Sequence, residues 1–525
     1  MPTEQLHPEA NSISGESGRT DGSPRNPPRD DLKRRTLRGA LVSTLGQGAT
    51  FVLRLGSMMA LARLLAPEQF GLVSMVTACT GILDMFRDFG LSMATVQRAT
   101  ISHAQLSMLF WINLGVGAFL ATICAAAAPV LVAFYHEPRL LWIGIVVGFG
   151  FLFNGAAAQH RAMLQRDMRF SVLTALDVIS FIVSTSVGVA MAATERSYWA
   201  LVVMNICPAL VNMLGIWAAY RWTPGPPCWR TDVWAQLRFG GTVTLDGVLA
   251  FITYNADKVL IGRFWGSQPL GIYGRAYQLV NIPTANLNST VSLVAFPALS
   301  RLQNDPERFK NYFLKGYGFF LFLVMPITVG CALYAEDIVQ VFLGSKWSAA
   351  APACRLLAPT ILTFALLNPL SWLLLSTGRA MRSLHIGLIV APAVILGELI
   401  GLPYGPGGVA AGLSITTALL VLPVICWATH KTPVTAAETI KVVMLPFFSI
   451  LIAAGCALAA WNFLHLITSP LLRLIAANGV LFSVYFVVFW FVMDQKEIYF
   501  PLLQEIGLGP RVRRGKPVPS ASSGL

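Results

Sequence analysis

Ten charged residues fall inside stretches that are otherwise apolar: basic Arg54, Arg87, Lys258 and Arg275, and acidic Asp84, Asp88, Asp177, Asp246, Asp257 and Glu398. A charge in such a setting costs several kcal/mol unless a partner or a watery cavity answers it, so each is either paired or functional. Guanidinium and ammonium groups grip a multiply charged anion such as a diphosphate, the guanidinium bidentately. Buried carboxylates instead suit exchange of a proton or sodium ion. Each residue also has a structural reading. Asp84, Arg87 and Asp88 stand at i, i+3 and i+4, where they neutralise one another on one helix face. Asp257 and Lys258 lie about five residues from the outer end of their apolar stretch, within reach of the interface for a lysine. Asp177 and Glu398 read as interfacial. Arg54 has no charged residue at i±3 or i±4 and sits about sixteen residues into its stretch, Arg275 is flanked by Tyr273 and Tyr277, and Asp246 lies seven residues in. Arg54, Arg87, Arg275 and Lys258 are therefore the expected anion-binding set. Asp246, Asp84, Asp88 and Asp257 are the candidates for ion coupling or structural pairing.

The elements that must carry these residues are membrane spans. Apolar runs near 38–62, 68–95, 106–134, 140–160, 172–193, 197–220, 239–262, 271–299, 316–334, 356–377, 383–401, 407–428, 442–464 and 474–493 give fourteen stretches of about the length that crosses ~30 Å of hydrocarbon. Assigning alternate gaps to alternate sides sorts the lysines and arginines. One side takes Lys33–Arg38, Arg98, Arg161–Arg169, Arg221–Arg238, Arg301–Lys315, Arg379–Arg382 and Lys431–Lys441. The other carries about one charge per gap: Arg63, Arg139, Arg196, Arg263, Arg473, and Lys346 with Arg355. Basic flanks stay in the cytoplasm, so both termini are expected there, and an odd helix count would scramble the sorting.

Composition agrees with an all-α integral membrane protein: 55% hydrophobic, 12% charged, mean hydropathy +0.63. The net charge of +13 lies in short loops beside spans, where topology and anionic lipid account for it; no nucleic-acid partner is expected. Residues 1–36 read as a disordered basic tail without a cleavable leader, and 495–525 as a second polar tail. The eight cysteines are scattered and lack CxxC spacing, so neither disulfides nor a metal site is expected. No Walker A, HExxH, GxSxG or paired-carboxylate motif stands in a loop, and the longest outer gap, about 335–355, is too short for a folded catalytic loop. An enzyme is disfavoured. Energy is expected from an ion or substrate gradient, with no cofactor.

The chain also repeats itself. At a shift of 200 residues, Leu37-Arg38 matches Leu237-Arg238, Thr44-Leu45 matches Thr244-Leu245, Phe51 matches Phe251, Arg63 matches Arg263 and Gly71 matches Gly271. Six spans separate the starts, so both copies enter the membrane in the same orientation. That predicts two parallel six-helix lobes, 37–222 and 236–430, with a substrate path between them and two further helices in 440–494. The stretch NIPTANLNSTVS from Asn281 puts Pro283 and several polar residues in mid-membrane. Lipid tolerates that only beside protein or a cavity.

Three segments resemble a known family: LLAPEQFGLVSMV at 64–76, FRDFGLSMATVQR at 86–98, and NADKVLIGRFWGSQPLGIYGRAYQL at 255–279. They are similar to the motifs of bacterial polysaccharide exporters and O-antigen-type flippases, within the multidrug/oligosaccharidyl-lipid/polysaccharide exporter superfamily. The Gly-Ile-Tyr-Gly-Arg-Ala form resembles the colanic-acid and exopolysaccharide branch. The resemblance covers about residues 33–495. It implies a lipid-linked oligosaccharide as substrate, an undecaprenyl diphosphate carrier flipped across the inner membrane by alternating access, and a polymerase or export machinery as possible partner. It also implies that Arg54, Arg87, Arg275 and Lys258 meet the anionic headgroup, while Asp88 and Asp257 match motif positions. A proton- or sodium-coupled multidrug antiporter of the same superfamily is the alternative, since in-membrane carboxylates would serve it.

Overall fold

The computed structural model describes residues 29–87, 95, 101–227, 234–464 and 466–492. Fifteen α-helices run through them: α1 Arg29–Leu64, α2 Pro67–Asp84, α3 His103–Tyr135, α4 Leu140–Arg166, α5 Phe170–Thr194, α6 Trp199–Ala219, α7 Trp234–Trp265, α8 Ser267–Arg301, α9 Pro306–Leu333, α10 Ala335–Phe342, α11 Ala350–Ser376, α12 Ala380–Gly401, α13 Gly405–Thr429, α14 Ala436–Leu464 and α15 Pro470–Val487. α10 has eight residues. Among the described residues, nine helical stretches are long and apolar enough to cross a membrane, with α12 and α13 counted together as Ala380–Thr429. The long helices outside that set are α1, α2, α7 and α8, which carry most of the in-span charges.

Local chemistry sets the breaks. Ser102 and Gln105 form a reciprocal cap at the start of α3, with Gln105 N bonded to Ser102 Oγ at 3.2 Å and Ser102 N bonded to Gln105 Oε1 at 3.1 Å. Thr435 and Glu438 do the same before α14. Gly266 alone separates α7 from α8 at φ 85°, a conformation that favours glycine. Phe119, Trp142, Ile400, Leu419 and Ile475 face outward and are exposed. So continuous an apolar surface suits hydrocarbon, and the chain is a multi-pass membrane protein.

Helix pairings recur along the chain. α1 packs on α5, α3 on α4, and α4 and α5 on α6; further on, α7 packs on α12, α9 on α11, and α11 and α12 on α13. α14 and α15 pack on each other and against α9 and α10. The two series meet where α2 touches α8. A Cβ on Gly71 would lie 1.7 Å from the Ser267 carbonyl oxygen, and one on Gly271 would lie 1.8 Å from that of Pro67. Ser267 and Pro67 each open a helix, so the glycines let two equivalent helix starts cross in backbone contact. This end is closed further by Trp347, fully buried in the turn after α10, whose Nε1 donates to the Ala62 oxygen at 2.7 Å. Its ring meets Phe70 edge-on, with centroids 5.3 Å apart, and Lys346 Nζ donates to the Arg63 oxygen at 3.3 Å.

Two expectations change here. α1 begins at Arg29, so its first residues lie inside the segment 1–36 read as a disordered tail. α2 ends at Asp84, well short of residue 95, so Arg87 lies in the turn beyond the helix.

Candidate functional site

A cavity of about 740 Å³ lies between the two series of helices, and helical periodicity explains its walls. On α1, Arg54, Ser57, Met58 and Leu61 fall at i, i+3, i+4 and i+7, one face; on α2, Phe70, Val73, Ser74 and Thr77 repeat the spacing. α8 contributes Gly274, Arg275, Gln278 and Asn281, α7 contributes Lys258, and α5 and α6 supply Phe181, Met204 and Asn205. Ser57 and Thr77 bond back to their own helix carbonyls at 2.9 and 3.0 Å, which satisfies these hydroxyls without a partner across the cavity.

Among the described residues, the charged groups on this wall are all cationic. Arg54 is exposed to the cavity, and its guanidinium has no hydrogen-bond or ion-pair partner among the described residues. It also borders a side groove of about 320 Å³ between α1 and α5. The Arg275 guanidinium lies over the Phe70 ring, 4.0 Å from its centroid, and donates to Gln278 Oε1. One of its five N–H groups is used, and no carboxylate meets it among the described residues. Lys258 Nζ donates to Asn255 Oδ1 at 2.7 Å and sits 4.8 Å from the Tyr277 ring. Lys258 thus belongs to the wall.

The remaining expected residues are placed elsewhere. Arg87 borders none of the described cavities. It is half-exposed, 3.7 Å from Asp84, and that pair accounts for both charges, against the expectation that Arg87 joins the anion site. Asp88 lies outside the described residues, and so does the side chain of Asp246 on α7. Asp257 is buried at 1% exposure, accepting from Tyr273 Oη and the Lys258 amide, each at 2.7 Å. It ties α7 to α8. Asp177 accepts both forks of Arg161, at 2.9 and 2.8 Å. Glu398, read as interfacial from its place near a span end, is fully buried within the protein; both carboxyl oxygens lack a hydrogen-bond partner among the described residues, and it lies within electrostatic reach of Asp257 and Lys258. Its near-end position in sequence hid this burial, because α12 packs on both α7 and α13.

A census of charges also missed the neutral polar wall. Lys258, Tyr277 and Asn281 are shared with a second cavity of about 400 Å³, which adds Asn255, Thr284, Asn288 and Asn368. The NIPTANLNSTVS stretch had signalled the α8 part: Tyr277, Asn281, Thr284 and Asn288 recur at i, i+4, i+7 and i+11, and α8 runs through Pro283 unbroken. Asn368 on α11 gave no comparable signal.

Comparison with known proteins adds four findings. The sequence pattern of a family described as "Polysaccharide biosynthesis protein" matches residues 60–352. The lipopolysaccharide biosynthesis protein WzxC of Escherichia coli (strain K12) is 24% identical over 404 residues, covering 75% of this chain and 80% of its own. The succinoglycan biosynthesis transport protein ExoT of Rhizobium meliloti (strain 1021) is 26% identical over 329 residues, 63% of this chain and 66% of its own. Among solved structures, the lipid II flippase MurJ in an inward closed conformation superimposes with a TM-score of 0.68, over 86% of this chain and 100% of that one, at 15% identity. At that identity the likeness establishes a shared fold.

Proposed function

The chain belongs to the polysaccharide biosynthesis protein family, and we propose that it carries a diphosphate-linked oligosaccharide lipid across the bacterial inner membrane by alternating access. It is a transporter rather than an enzyme. One observation carries the reading: among the described residues, the charged ones on the wall of the main cavity are Arg54, Lys258 and Arg275, with no carboxylate beside them. A carrier of organic cations needs the opposite sign at its wall. Three cations in a low-dielectric cavity suit a headgroup with two or more negative charges, and each charge-assisted bond contributes roughly 1.5–3 kcal/mol. On this reading residues 37–222 and 236–430 form two rocking lobes and 440–494 adds two helices, fourteen spans in all with both tails cytoplasmic. The end closed by Trp347 and the paired glycines is then periplasmic. A proton or sodium gradient would drive the cycle through Asp246 or the buried carboxyls Asp257 and Glu398, and a polymerase would receive the product.

Export assays test the site. Arg54→Ala and Arg275→Ala should abolish polysaccharide export at normal membrane levels, whereas Arg54→Lys, which keeps the charge and loses the fork, should retain part of it. Wild-type export by both alanine variants removes the headgroup from this cavity. Reporter fusions test the topology: fusions after Arg169 and Arg308 should report cytoplasm, and those near Arg139, Arg196 and Lys346 periplasm. A periplasmic signal at Arg308 breaks the count of fourteen.

A further inference from the structure

The second cavity differs in chemistry from the cationic one it adjoins. Its walls come from α7, α8, α9 and α11, and Lys258, on the shared wall, is the one charged residue lining it among the described residues. Four asparagines, Asn255, Asn281, Asn288 and Asn368, line this space of about 400 Å³, which lies in the ~300–1,000 Å³ range of small-ligand pockets. Amides at bilayer depth cost roughly 2–7 kcal/mol each when left without a partner, so four around one cavity are not a packing convenience. Several of its polar groups are unengaged: among the described residues, the Asn368 amide and the hydroxyls of Tyr254 and Tyr277 have no hydrogen bond, and Asn288 Oδ1 is a buried acceptor without a donor.

The aromatic side chains complete the pattern. Phe364 stands perpendicular to Tyr254, centroids 5.2 Å apart and planes at 88°, so the two rings form a corner, with Phe320 also on the wall. A pyranose has two kinds of surface. Its hydroxyls donate and accept, as primary amides do, and its C–H face lies flat against the negative face of a ring. A diphosphate has no reason to leave three cations for a space with one. We infer that this cavity is a glycan subsite that holds the first sugar of the carried lipid while its diphosphate sits at Arg54, Arg275 and Lys258. The inference rests on the proposed transport of a diphosphate-linked oligosaccharide and adds which side chains read its sugar.

The test uses the full-length protein in nanodiscs and four probes: farnesyl diphosphate, and farnesyl diphosphate bearing one glucose, galactose or N-acetylglucosamine. With wild-type protein, at least one sugar should tighten binding tenfold or more over bare farnesyl diphosphate. Asn368→Ala, Phe364→Leu and the half-exposed Tyr254→Leu should erase most of that gain while leaving bare-diphosphate affinity within twofold, which also shows that each variant is folded. Arg54→Ala should weaken all four probes alike. The subsite is overturned if no sugar adds affinity, if the gain survives in all three variants, or if they weaken bare diphosphate as much as the sugar-bearing probes. Failure of the wild-type protein to bind any of the four, bare diphosphate included, overturns the transport reading itself.

Discussion

A guanidinium persists at membrane depth only where something answers it, and three arginines of this chain are answered in three ways. Among the described residues, Arg87 pairs with Asp84 at the helix end, Arg275 lies on the Phe70 ring with Gln278 as its one bonded partner, and Arg54 faces the cavity without a partner. The Arg87 pair is half-exposed, and such pairs are worth ~0–1 kcal/mol. Arg87→Ala should therefore leave membrane levels and export within about twofold of wild type; loss of export comparable to that in Arg54→Ala would return Arg87 to the headgroup site. Arg54 was legible in the sequence because a mid-span arginine with no charged residue at i±3 or i±4 is conspicuous, and Arg275 because it stands between Tyr273 and Tyr277 inside an apolar stretch. Asn368 and Phe364 were not, since a lone asparagine and an apolar ring look alike on a packing face and a cavity wall. The burial of Glu398 was not legible because α12 packs on both α7 and α13, contacts that distance along the chain from the span end does not reveal.

Among the elements, α10 and the turn after it are the least expected. The segment 335–355 reads as a loop with an acidic pair, yet Asp337 is buried at 1% exposure and bound through both oxygens by Arg473 at the start of α15. The partner lies 136 residues away, too far for local pattern to show it. Pinned there, the element presents Trp347 to the end of α1 and the start of α2, where it touches Ala62 and Phe70. Phe70 also carries Arg275 on its face, so the closure and the cavity share a ring. These contacts cross between helices that must separate if the closed end opens. Truncating a large buried aromatic costs ~3–5 kcal/mol, and if most of that is lost only from the closed state, ~3 kcal/mol shifts the equilibrium by roughly a hundredfold. Trp347→Ala should thus raise labelling of a cysteine at Ser57 by an impermeant maleimide from outside, in a background without other reactive cysteines. Unchanged labelling would mean that Trp347 is packing and not a latch.

At the scale of the whole molecule, the 200-residue shift was legible through residues that sit where the two series meet or where helices end, Gly71 with Gly271 and Arg63 with Arg263. The recurrence of helix pairings between the two series follows that shift, and the apolar runs 38–62, 68–95, 239–262 and 271–299 marked α1, α2, α7 and α8 as spans although they carry most of the in-span charges. The glycine pair also makes the symmetry testable. A Cβ at position 71 would lie 1.7 Å from the Ser267 oxygen, and one at 271 would lie 1.8 Å from the Pro67 oxygen, distances at which backbone must move. Overpacking that forces backbone shifts costs roughly 1–3 kcal/mol, and here the relief is to spread the helix starts of α2 and α8. Gly71→Ala and Gly271→Ala should each increase outside labelling at Ser57→Cys, to a similar extent, because the two clashes are equivalent. One displacement relieves both, so the double variant should add little beyond either single one, a non-additivity expected of residues in contact. If one variant is silent while the other opens the protein, or if the double variant shows the sum, the two helix starts do not move as one symmetric unit and the rocking of paired lobes loses its support.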